Sequence, residues 1–242
     1  IDKARVTHAL CDLRLADELR AARVDKPVLS QLRFFGDASA TGLEAAMERH
    51  GDAFDNVPTA ADDCCIFAFT SGTTGQPKAT MHFHRDVLAM CDTFPRSVLK
   101  PGPDDVFCGT PPLAFTFGLG GLLCFPLRAG NSRVLVERLM PDTLMQTLRD
   151  FGATICFTAL TFWRLMAPLA QQGGIGRLKK CVSAGEALPD ATRQLWKQAT
   201  GIEIIDGIGA TEMFHIFRSS APEKAPRGPI GRGGPGDRAR IG

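Results

Sequence analysis

From residue 105 onwards, short apolar runs alternate with longer segments in which apolar residues recur at helical spacing. The runs have the length of buried strands, and the longer segments have the pattern of helices that cover a sheet. The predicted strands lie in DVFCGTPP, SRVLVER, ATICFTA, LKKCVSAG and IEIIDGIG, and the predicted helices in GLGGLLCFPLRAG, MPDTLMQTLRDFG, LTFWRLMAPLAQQGG and LPDATRQLWKQATG. This alternation predicts βαβ units, and therefore an α/β fold with mainly parallel sheets covered by helices.

The first part of the chain is less regular. Leu, Ala and Arg at helical spacing predict a helix within residues 1–25, and VLSQLRFFG predicts a strand or a loop returning to the sheet. ATGLEAAMERHG predicts a helix with Thr41 as its N-cap and Gly51 at its end. CCIFAF predicts a buried strand of a central sheet, and ATMHFH predicts the second arm of a hairpin. HRDVLAMCDTFPRSVL predicts a helix that is strained or broken near Pro95.

The composition is that of an ordinary globular protein. The chain has 242 residues, of which 44% are hydrophobic and 22% charged, enough for a sizeable core in one large domain. A net charge of +2 gives no broad electrostatic case for binding nucleic acid or a membrane. The eight cysteines are scattered without CxxC spacing, and several lie inside apolar runs. We therefore expect reduced thiols, a cytosolic setting, and neither a nucleic-acid nor a membrane partner.

Both ends of the sequence have the character of a cut chain. It starts at Ile1 and stops at RARIG, just where a further strand would begin. We interpret it as a piece of a longer protein, whose exposed edge would favour self-association. The alternative is a short protein with a disordered basic glycine-rich tail, a composition also seen in RNA-binding segments. That tail lacks aromatic residues for stacking on bases, which weighs against this alternative.

Polar clusters follow several of the predicted strands. TSGTTG follows CCIFAF, PPLAFTFG follows DVFCGT, SAGEALP follows LKKCV, and GIGATE follows IEIID. In open α/β sheets, ligands bind beyond the carboxyl ends of the strands. The clusters are therefore expected to lie around one cleft, with Thr211 and Glu212 facing the same cleft as Lys78.

The cluster TSGTTG, with the lysine that follows it, has the composition of an anion-binding loop. Its glycines can adopt positive φ, so that several backbone N–H groups turn toward one point, while hydroxyl groups and Lys78 add further donors. The predicted phosphate-binding residues are Thr70, Ser71, Gly72, Thr73, Thr74, Gly75 and Lys78. With no apolar anchor, the loop is expected to be mobile between the two hairpin strands. A plain surface turn is the alternative, and a Walker A loop is excluded because Ala79 follows the lysine.

The whole string TSGTTGQPK closely resembles the phosphate loop of the adenylate-forming superfamily, which contains acyl-CoA and aryl-CoA ligases, luciferases and adenylation domains of peptide synthetases. PPLAFTFGLGG, SAGEALP and GIGATE resemble further motifs of this superfamily, in the same order. Within it, DGIGATEMFHIF resembles the benzoate-CoA and 2-aminobenzoate-CoA ligases. The resemblance covers nearly all of residues 62–241. Two positions depart from the pattern, Ala79 in place of Gly and Ile208 in place of Tyr.

The resemblance implies a nucleotide site at the polar clusters. Residues 184–187 would contact adenine, Thr211 an α-phosphate oxygen, and Glu212 a Mg²⁺ ion, which prefers hard oxygen ligands. Besides the phosphate loop, the residues implied to bind the nucleotide are Ala184, Gly185, Glu186, Ala187, Asp206, Gly207, Ile208, Gly209 and Thr211. The implied catalytic residues are Lys78, Thr211 and Glu212.

The resemblance also implies a pocket for the acid. Phe115 would border the carboxylate site, Thr116 and Phe117 would reach the acyl pocket, and His215 would line the aryl ring. The full implied set is Phe115, Thr116, Phe117, Gly118, Gly209 and His215. Taken without the resemblance, His215 has the features of a satisfied, half-buried structural histidine.

The implied reaction uses ATP, Mg²⁺ and coenzyme A with a small aromatic carboxylate, benzoate or 2-aminobenzoate. The carboxylate would attack the α-phosphate to give an acyl-adenylate, and the CoA thiol would then displace AMP. Catalysis would rest on positioning and charge neutralisation rather than on a side-chain nucleophile. Two alternatives stay open: another adenylate-forming enzyme, such as a fatty acyl-CoA ligase or a carrier-protein-loading domain, and a non-catalytic nucleotide-binding module.

The resemblance sets an expected domain organisation. Residues 1–242 would be a partial AMP-binding domain, with residues 1–61 as its leading segment and the small C-terminal domain absent. Since that small domain carries the lysine that drives adenylation, the chain alone is expected to show little or no turnover.

Overall fold

The computed structural model of the chain describes residues 1–70, 75–138 and 140–219, together with the backbone of residues 232 and 233. The chain divides into two compact units, Ile1–Ala60 and Ala61–Gly242. Every site residue predicted from the sequence belongs to the second unit, so the first is described only briefly.

The first unit contains a strand where the sequence predicted a helix. Strand β1 (His8–Asp12) pairs in parallel with β2 (Gln31–Phe35), and helix α1 (Ala16–Val24) connects them. The predicted helix within residues 1–25 is therefore wrong for its first part. Alternately exposed and half-buried side chains in β1, together with its pairing to β2, outweigh the helix propensity of Leu and Ala.

The first unit ends with a short helix, α2 (Leu43–Met47). Its N-cap is Gly42, and the hydroxyl of Thr41 instead pairs with the hydroxyl of Ser39 at 2.9 Å. The prediction of Thr41 as the N-cap is therefore wrong by one position, because the hydroxyl is held within the preceding turn.

The second unit opens with an antiparallel hairpin of β3 (Cys64–Thr70) and β4 (Lys78–Phe83), as the sequence predicted. The expectation that CCIFAF is a buried strand of the central sheet is wrong. The hairpin is a separate two-stranded sheet, and the side chains of Phe67 and Phe69 are about half exposed. A short apolar run does not distinguish a strand buried on both faces from one buried on a single face.

The main sheet confirms the predicted α/β fold. Its strands are β5 (Val106–Gly109), β6 (Ser132–Leu135), β7 (Ile155–Phe157), β8 (Lys180–Ala184), β9 (Ile204–Gly209), β10 (Ile216–Ser219) and β11 (Arg232–Gly233). Within the described ranges their spatial order is β11-β10-β9-β8-β7-β5-β6. All pairs from β9 to β6 are parallel, and β10 and β11 pair antiparallel at one edge. The strand expected at RARIG lies outside the described residues.

Helices cover both faces of this sheet. They are α3 (His84–Phe94), α4 (Thr116–Leu119), α5 (Phe125–Ala129), α6 (Pro141–Asp150), α7 (Leu160–Gly173) and α8 (Asp190–Thr200). Two segments are π-helical, Pro95–Leu99 directly after α3 and Gly120–Cys124 between α4 and α5. The predicted break at Pro95 is confirmed, since the α-helix gives way to the π-helical segment at that residue.

The core consists of two apolar layers, one on each side of the sheet. Helices α6, α7 and α8 pack on one face, where Trp163 and Trp196 meet edge to face and Cys108, Cys156 and Cys181 form a row across three neighbouring strands. Helices α3 and α5 pack on the other face, against Phe107, Phe157 and Val182. The sheet is thus fixed from both sides, which gives the loops at its carboxyl end a rigid base.

Candidate active site

The β3–β4 hairpin carries the predicted phosphate-binding residues at its tip. Thr70 ends β3 and lies opposite Lys78, which begins β4 and is exposed to solvent. Gly75 has φ +76°, and a Cβ atom there would meet nothing within 4 Å, so this position favours glycine for its conformation rather than for lack of space. Ser71, Gly72, Thr73 and Thr74 lie outside the described residues, as does the predicted loop mobility that rests on them. Lys78 was expected in the loop and instead belongs to the strand.

The segment predicted to contact adenine leaves the carboxyl end of β8. Ala184 is the last residue of that strand, and Gly185 turns the chain away from the sheet with φ +97°. Glu186 and Ala187 are exposed, whereas Leu188 returns to the core. Residues 184–187 therefore form a ledge that is exposed from Gly185 onward and is flanked by the buried residues Ser183 and Leu188.

Asp206 ties this ledge to the neighbouring strand β9. Its carboxylate accepts a backbone N–H from Leu188 and lies 3.7 Å from the guanidinium of Arg193 on α8. Burial raises the pKa of Asp206, and the positive charge of Arg193 opposes that rise. The carboxylate thus has protein partners that fix the ledge, and its role in binding nucleotide stays a prediction.

The end of β9 lies beside the ledge and is closely packed. Ala184 and Gly207 are register partners on adjacent parallel strands. A Cβ atom at Gly207 would lie 2.6 Å from the side chain of Ile216, and one at Gly209 would lie 2.9 Å from the carbonyl oxygen of His215. The two glycines therefore allow β10 to approach closely, while Ile208 between them is exposed on the surface beside the ledge.

Beyond β9 the chain makes a tight turn, residues 211–214, which we call the 211–214 turn. Thr211 is half-buried and Glu212 exposed, and the turn closes with the N–H of Phe214 donating to the carbonyl oxygen of Thr211 at 3.1 Å. Phe214 has φ +68°, an unfavourable conformation for a bulky residue that costs on the order of 1–3 kcal/mol. Surrounding contacts must hold it, and its ring is buried.

One of those contacts comes from the hairpin. His82, in β4, is only 3% exposed, and its Nε2 lies 2.8 Å from the carbonyl oxygen of Thr211. Because a carbonyl oxygen can only accept, Nε2 carries the proton and donates. The imidazole also meets the ring of Phe214 edge to face, with centroids 4.4 Å apart. The hairpin and the 211–214 turn, expected to share a cleft, are thus in direct contact.

His215 follows the turn and lies in an aromatic cluster. Its imidazole is 2% exposed, and four phenylalanine rings lie with centroids 4.6 to 6.2 Å away: Phe94, Phe117, Phe125 and Phe157. Nε2 donates to the carbonyl oxygen of Phe117 at 3.2 Å, and Nδ1 has no partner in the described part of the chain. Burial lowers the pKa of His215 to about 3, so that the ring is neutral. The histidine is more buried and less satisfied than an ordinary structural one.

Helix α4 and the residue before it carry the predicted acid-binding residues 115–118, of which Phe117 contacts this cluster. Phe117 contacts the imidazole of His215, whereas Phe115 points outward and is 66% exposed. Thr116 begins α4, and Gly118 packs so tightly that a Cβ atom would lie 2.1 Å from the carbonyl oxygen of Pro112. The aromatic cluster therefore receives Phe117 and His215 directly but not Phe115.

Several residues of this site were missed by sequence reasoning. His82 and three of the four rings around His215 come from elements outside the recognised motifs, and Gly120 lies inside PPLAFTFGLGG but was given no role. Gly120 and Gly121 lie against His215 and Phe157, where a Cβ atom would approach to 2.4 and 2.7 Å. The run GLGG was the available signal, since adjacent buried glycines in a helix usually mark a close approach of side chains.

Hydroxyl groups line the sheet beneath the ledge. Thr110 and Thr158, just past β5 and β7, are buried and share a hydrogen bond of 2.6 Å. Ser183, near the end of β8, is also buried, and its Oγ has no partner among the described residues. These three side chains continue the row of cysteines toward the carboxyl edge.

Of the described residues, no group of three or more His, Cys, Asp or Glu side chains could hold a metal ion by itself. A site for Mg²⁺ needs only one or two carboxylates when nucleotide phosphates complete the shell. The exposed carboxylate of Glu212 fits that requirement. In the same part of the chain, no helix has the length and apolar character needed to cross a membrane.

Fold and site together define a nucleotide-binding α/β domain of the adenylate-forming class. The AMP-binding enzyme family matches residues 1–242, and the chain belongs to that family. It is 36% identical over 218 residues to the benzoate–CoA ligase of Thauera aromatica, a match that covers 89% of this chain and 41% of the relative. It is 31% identical over 224 residues to the anthranilate–CoA ligase of Pseudomonas aeruginosa, with 92% and 41% covered.

A solved structure supports the same assignment. The anthranilate CoA ligase AuaEII, crystallised in complex with anthranoyl-AMP, superposes with a TM-score of 0.88 at 31% identity. The match covers 96% of this chain and 45% of that one. The chain thus spans less than half the length of the relatives it matches.

Proposed function

We propose that the protein activates a small aromatic carboxylate with ATP and transfers the acyl group to coenzyme A, as an AMP-forming acid–thiol ligase. The observation that carries this proposal is the contact between His82 and Thr211, 2.8 Å long, which joins the hairpin to the loops at the carboxyl edge of the main sheet. One residue beyond the same turn, His215 enters the aromatic cluster. In this proposal a polyphosphate site and an apolar ring site adjoin, as adenylation of an aromatic acid requires.

In this proposal the hairpin residues and Thr211 bind the phosphates of ATP. Thr70, Lys78 and the hydroxyl-rich residues between them donate to phosphate oxygens, and the ledge at residues 184–187 receives the adenine together with Ile208. Glu212 would hold Mg²⁺, which when bound neutralises phosphate charge. The chain's own contribution is to orient the α-phosphate for attack and to oppose the charge that develops there.

The acid would bind in the aromatic cluster around His215. Phenylalanine rings favour an aromatic substrate through edge-to-face contacts. Because the imidazole is neutral and uses Nε2 on the carbonyl of Phe117, it brings no positive charge into the pocket. The carboxylate must therefore lie toward the polar loops, with the ring directed inward. The relatives named for benzoate and anthranilate support this substrate class.

The cellular compartment and the binding partners form a further part of the proposal. All eight cysteines lie in the described part of the chain and none is joined in a disulfide, which supports a reducing compartment such as the cytosol. We propose ATP, coenzyme A and the aromatic acid as partners, with a place in the breakdown of aromatic compounds, and no nucleic-acid or membrane partner.

The test is a substrate panel with the intact gene product. Benzoate, 2-aminobenzoate and a fatty acid are each supplied with Mg-ATP and either coenzyme A or a carrier protein. Pyrophosphate and AMP are measured, and the thioester is identified by mass spectrometry. We expect aromatic-acid-dependent release of pyrophosphate and an aryl-CoA product. A preference for the fatty acid, transfer only to the carrier protein, or nucleotide binding without pyrophosphate release would each contradict the proposal.

A further inference from the structure

The link between the β3–β4 hairpin and the 211–214 turn depends on one side chain of the hairpin. His82 lies near the end of β4, opposite Ile66, and its imidazole is buried. The strand continues back to Lys78, so the same short rigid element carries the lysine at one end and the imidazole near the other. A displacement of the hairpin relative to Thr211 must therefore stretch or break the hydrogen bond from His82.

The 211–214 turn needs that support. Its carbonyl oxygen at Thr211 receives two hydrogen bonds, one from the N–H of Phe214 within the turn and one from His82 outside it. Phe214 is held at positive φ, and the imidazole lies edge-on against its ring. A single side chain thus contacts the turn at both ends, at the carbonyl that begins it and at the strained residue that closes it.

We propose that His82 is a positioning residue for nucleotide binding: its Nε2–H fixes the 211–214 turn against the hairpin, so that the groups of both elements meet one polyphosphate at a set separation. His82 itself does not touch the nucleotide. This inference rests on the proposed function only in so far as the two elements bind ATP, and it is independent of which acid is activated.

Two effects of His82 can be separated by substitution. His82→Gln places an amide donor near the position of Nε2 and loses the ring, whereas His82→Leu keeps an apolar side chain and loses the donor. If the donor matters, glutamine restores function and leucine does not. If only packing on Phe214 matters, the order is reversed.

A matched control lies at the opposite end of the sheet. Asn131 also donates from a side chain to backbone carbonyls, that of Gly102 at 2.6 Å and that of Pro103 at 3.2 Å. Asn131→Leu therefore removes side-chain-to-backbone hydrogen bonds in the same unit without touching the hairpin or the turn. Its melting temperature shows how much of any effect at His82 is general loss of stability.

The experiment measures the Kd of Mg-ATP by calorimetry, the melting temperature without nucleotide, and the kinetics of pyrophosphate release, all with the intact gene product. We expect His82→Leu to weaken ATP binding about tenfold, the equivalent of one well-formed hydrogen bond. His82→Gln and Asn131→Leu should stay within about twofold of the unsubstituted protein. In His82→Leu the KM for ATP should rise, whereas the KM for the aromatic acid should stay unchanged.

The inference is overturned if His82→Leu binds ATP normally, if His82→Gln is as impaired as His82→Leu, or if Asn131→Leu shows the same loss. The proposed function has a separate outcome. ATP binding without acid-dependent pyrophosphate release refutes the ligase activity, while the Kd values still decide the role of His82. An unsubstituted protein that binds no ATP refutes both.

Discussion

The imidazole of His215 lies directly against the backbone of Gly120. A Cβ atom at Gly120 would be 2.4 Å from Cδ2 of the ring, far inside van der Waals contact. The ring cannot move away freely, because the rings of Phe94, Phe117 and Phe125 enclose it. The π-helical segment that contains Gly120 therefore sets where His215 can lie.

Gly120→Ala is expected to displace His215 and to spoil the ring pocket. Overpacking of this kind destabilises a fold by about 1–3 kcal/mol. We expect a raised KM for the aromatic acid with an unchanged Kd for Mg-ATP, measured by pyrophosphate release and calorimetry. Gly102→Ala is the control, since its Cβ would be 3.9 Å from the nearest atom, an ordinary contact. Equal KM values for both variants would contradict the proposed pocket.

His215 should also make the fold sensitive to acid. Its pKa is lowered by burial from 6.5 to about 3, so the unfolded chain binds this proton first as the pH falls. The neutral ring contributes fully to the free energy of unfolding above pH 6.5. This contribution is lost progressively as the pH falls below 6.5, and the loss reaches about 2 kcal/mol at pH 5. Urea unfolding of the chain at both ends of this range checks the slope. The free energy of unfolding of His215→Leu should depend less on pH than that of the unsubstituted chain. An identical slope in the two proteins would refute the role assigned to His215.

A buried ion pair should stabilise the amino end of the sheet. Asp105 is 7% exposed in its side chain, lies 3.1 Å from Nζ of Lys180 and accepts from Thr154 and Gly102. Burial acts to raise the pKa of Asp105, but these hydrogen bonds together outweigh it, and the net pKa is lowered.

Asp105→Ala is expected to destabilise the fold by about 3–5 kcal/mol, because it leaves buried donors and a cation without their partner. The comparison is Asp17→Ala, which breaks the exposed ion pair of Asp17 with Arg20. The change in the free energy of unfolding of this variant should be too small to measure. Urea unfolding of both variants measures the difference. Similar losses of stability in the two variants would show that burial does not determine how much the ion pair contributes.

Thiol reactivity should follow burial. Burial raises the pKa of Cys108 to about 11 and that of Cys91 to about 12, and it raises the pKa of Cys156 well above its usual value. Since the thiolate is the reactive form, iodoacetamide at neutral pH should modify Cys11 and Cys64 and leave these three intact until the chain unfolds. Peptide mass spectrometry reads out each site. Rapid native labelling of Cys156 would contradict the structure.

The strand–helix alternation after residue 105 could be read from the sequence because each element buries one continuous apolar stripe. The clusters SAGEALP and GIGATE could be placed as well, since they follow the adjacent parallel strands β8 and β9, whose carboxyl ends meet at one edge. Elsewhere local pattern was misleading. Residues 8–12 have helix-forming composition but pair with a distant strand, and CCIFAF has the apolarity of a central strand while its outer face is exposed.

The aromatic cluster could not be predicted, for a geometric reason. Its rings come from α3, α4, α5 and β7, and the position of the Phe125 ring depends on the helical phase after the π-helical segment Gly120–Cys124. The periodicity of a regular helix does not reveal that phase. His82 was hidden for a similar reason, since its partner at Thr211 is 129 residues away along the chain.

The π-helical segment Gly120–Cys124 can be tested by a deletion. Its wide turn, closed by the N–H of Phe125 on the carbonyl oxygen of Gly120, holds one residue more than an α-helical turn. Removing Leu123 should therefore convert it to α-helix and keep Phe125 in place, with a modest loss in melting temperature. Removing Leu165 from the regular helix α7 should rotate all that follows by about 100° and unfold the unit. Equal losses of melting temperature in the two deletion variants would contradict the assignment of a wider turn to Gly120–Cys124.

The same wide turn gives the segment between α4 and α5 a tolerance to changes in length that a regular α-helix lacks. Insertions and deletions in a helix usually scramble every later contact, and natural variation is therefore confined largely to loops. Here the length of a helix can change by one residue beside the aromatic cluster, while the layers on either side stay in phase. Descendants of this chain could thus reshape the proposed acid site through a change in length, a route closed to sites built on uninterrupted helices.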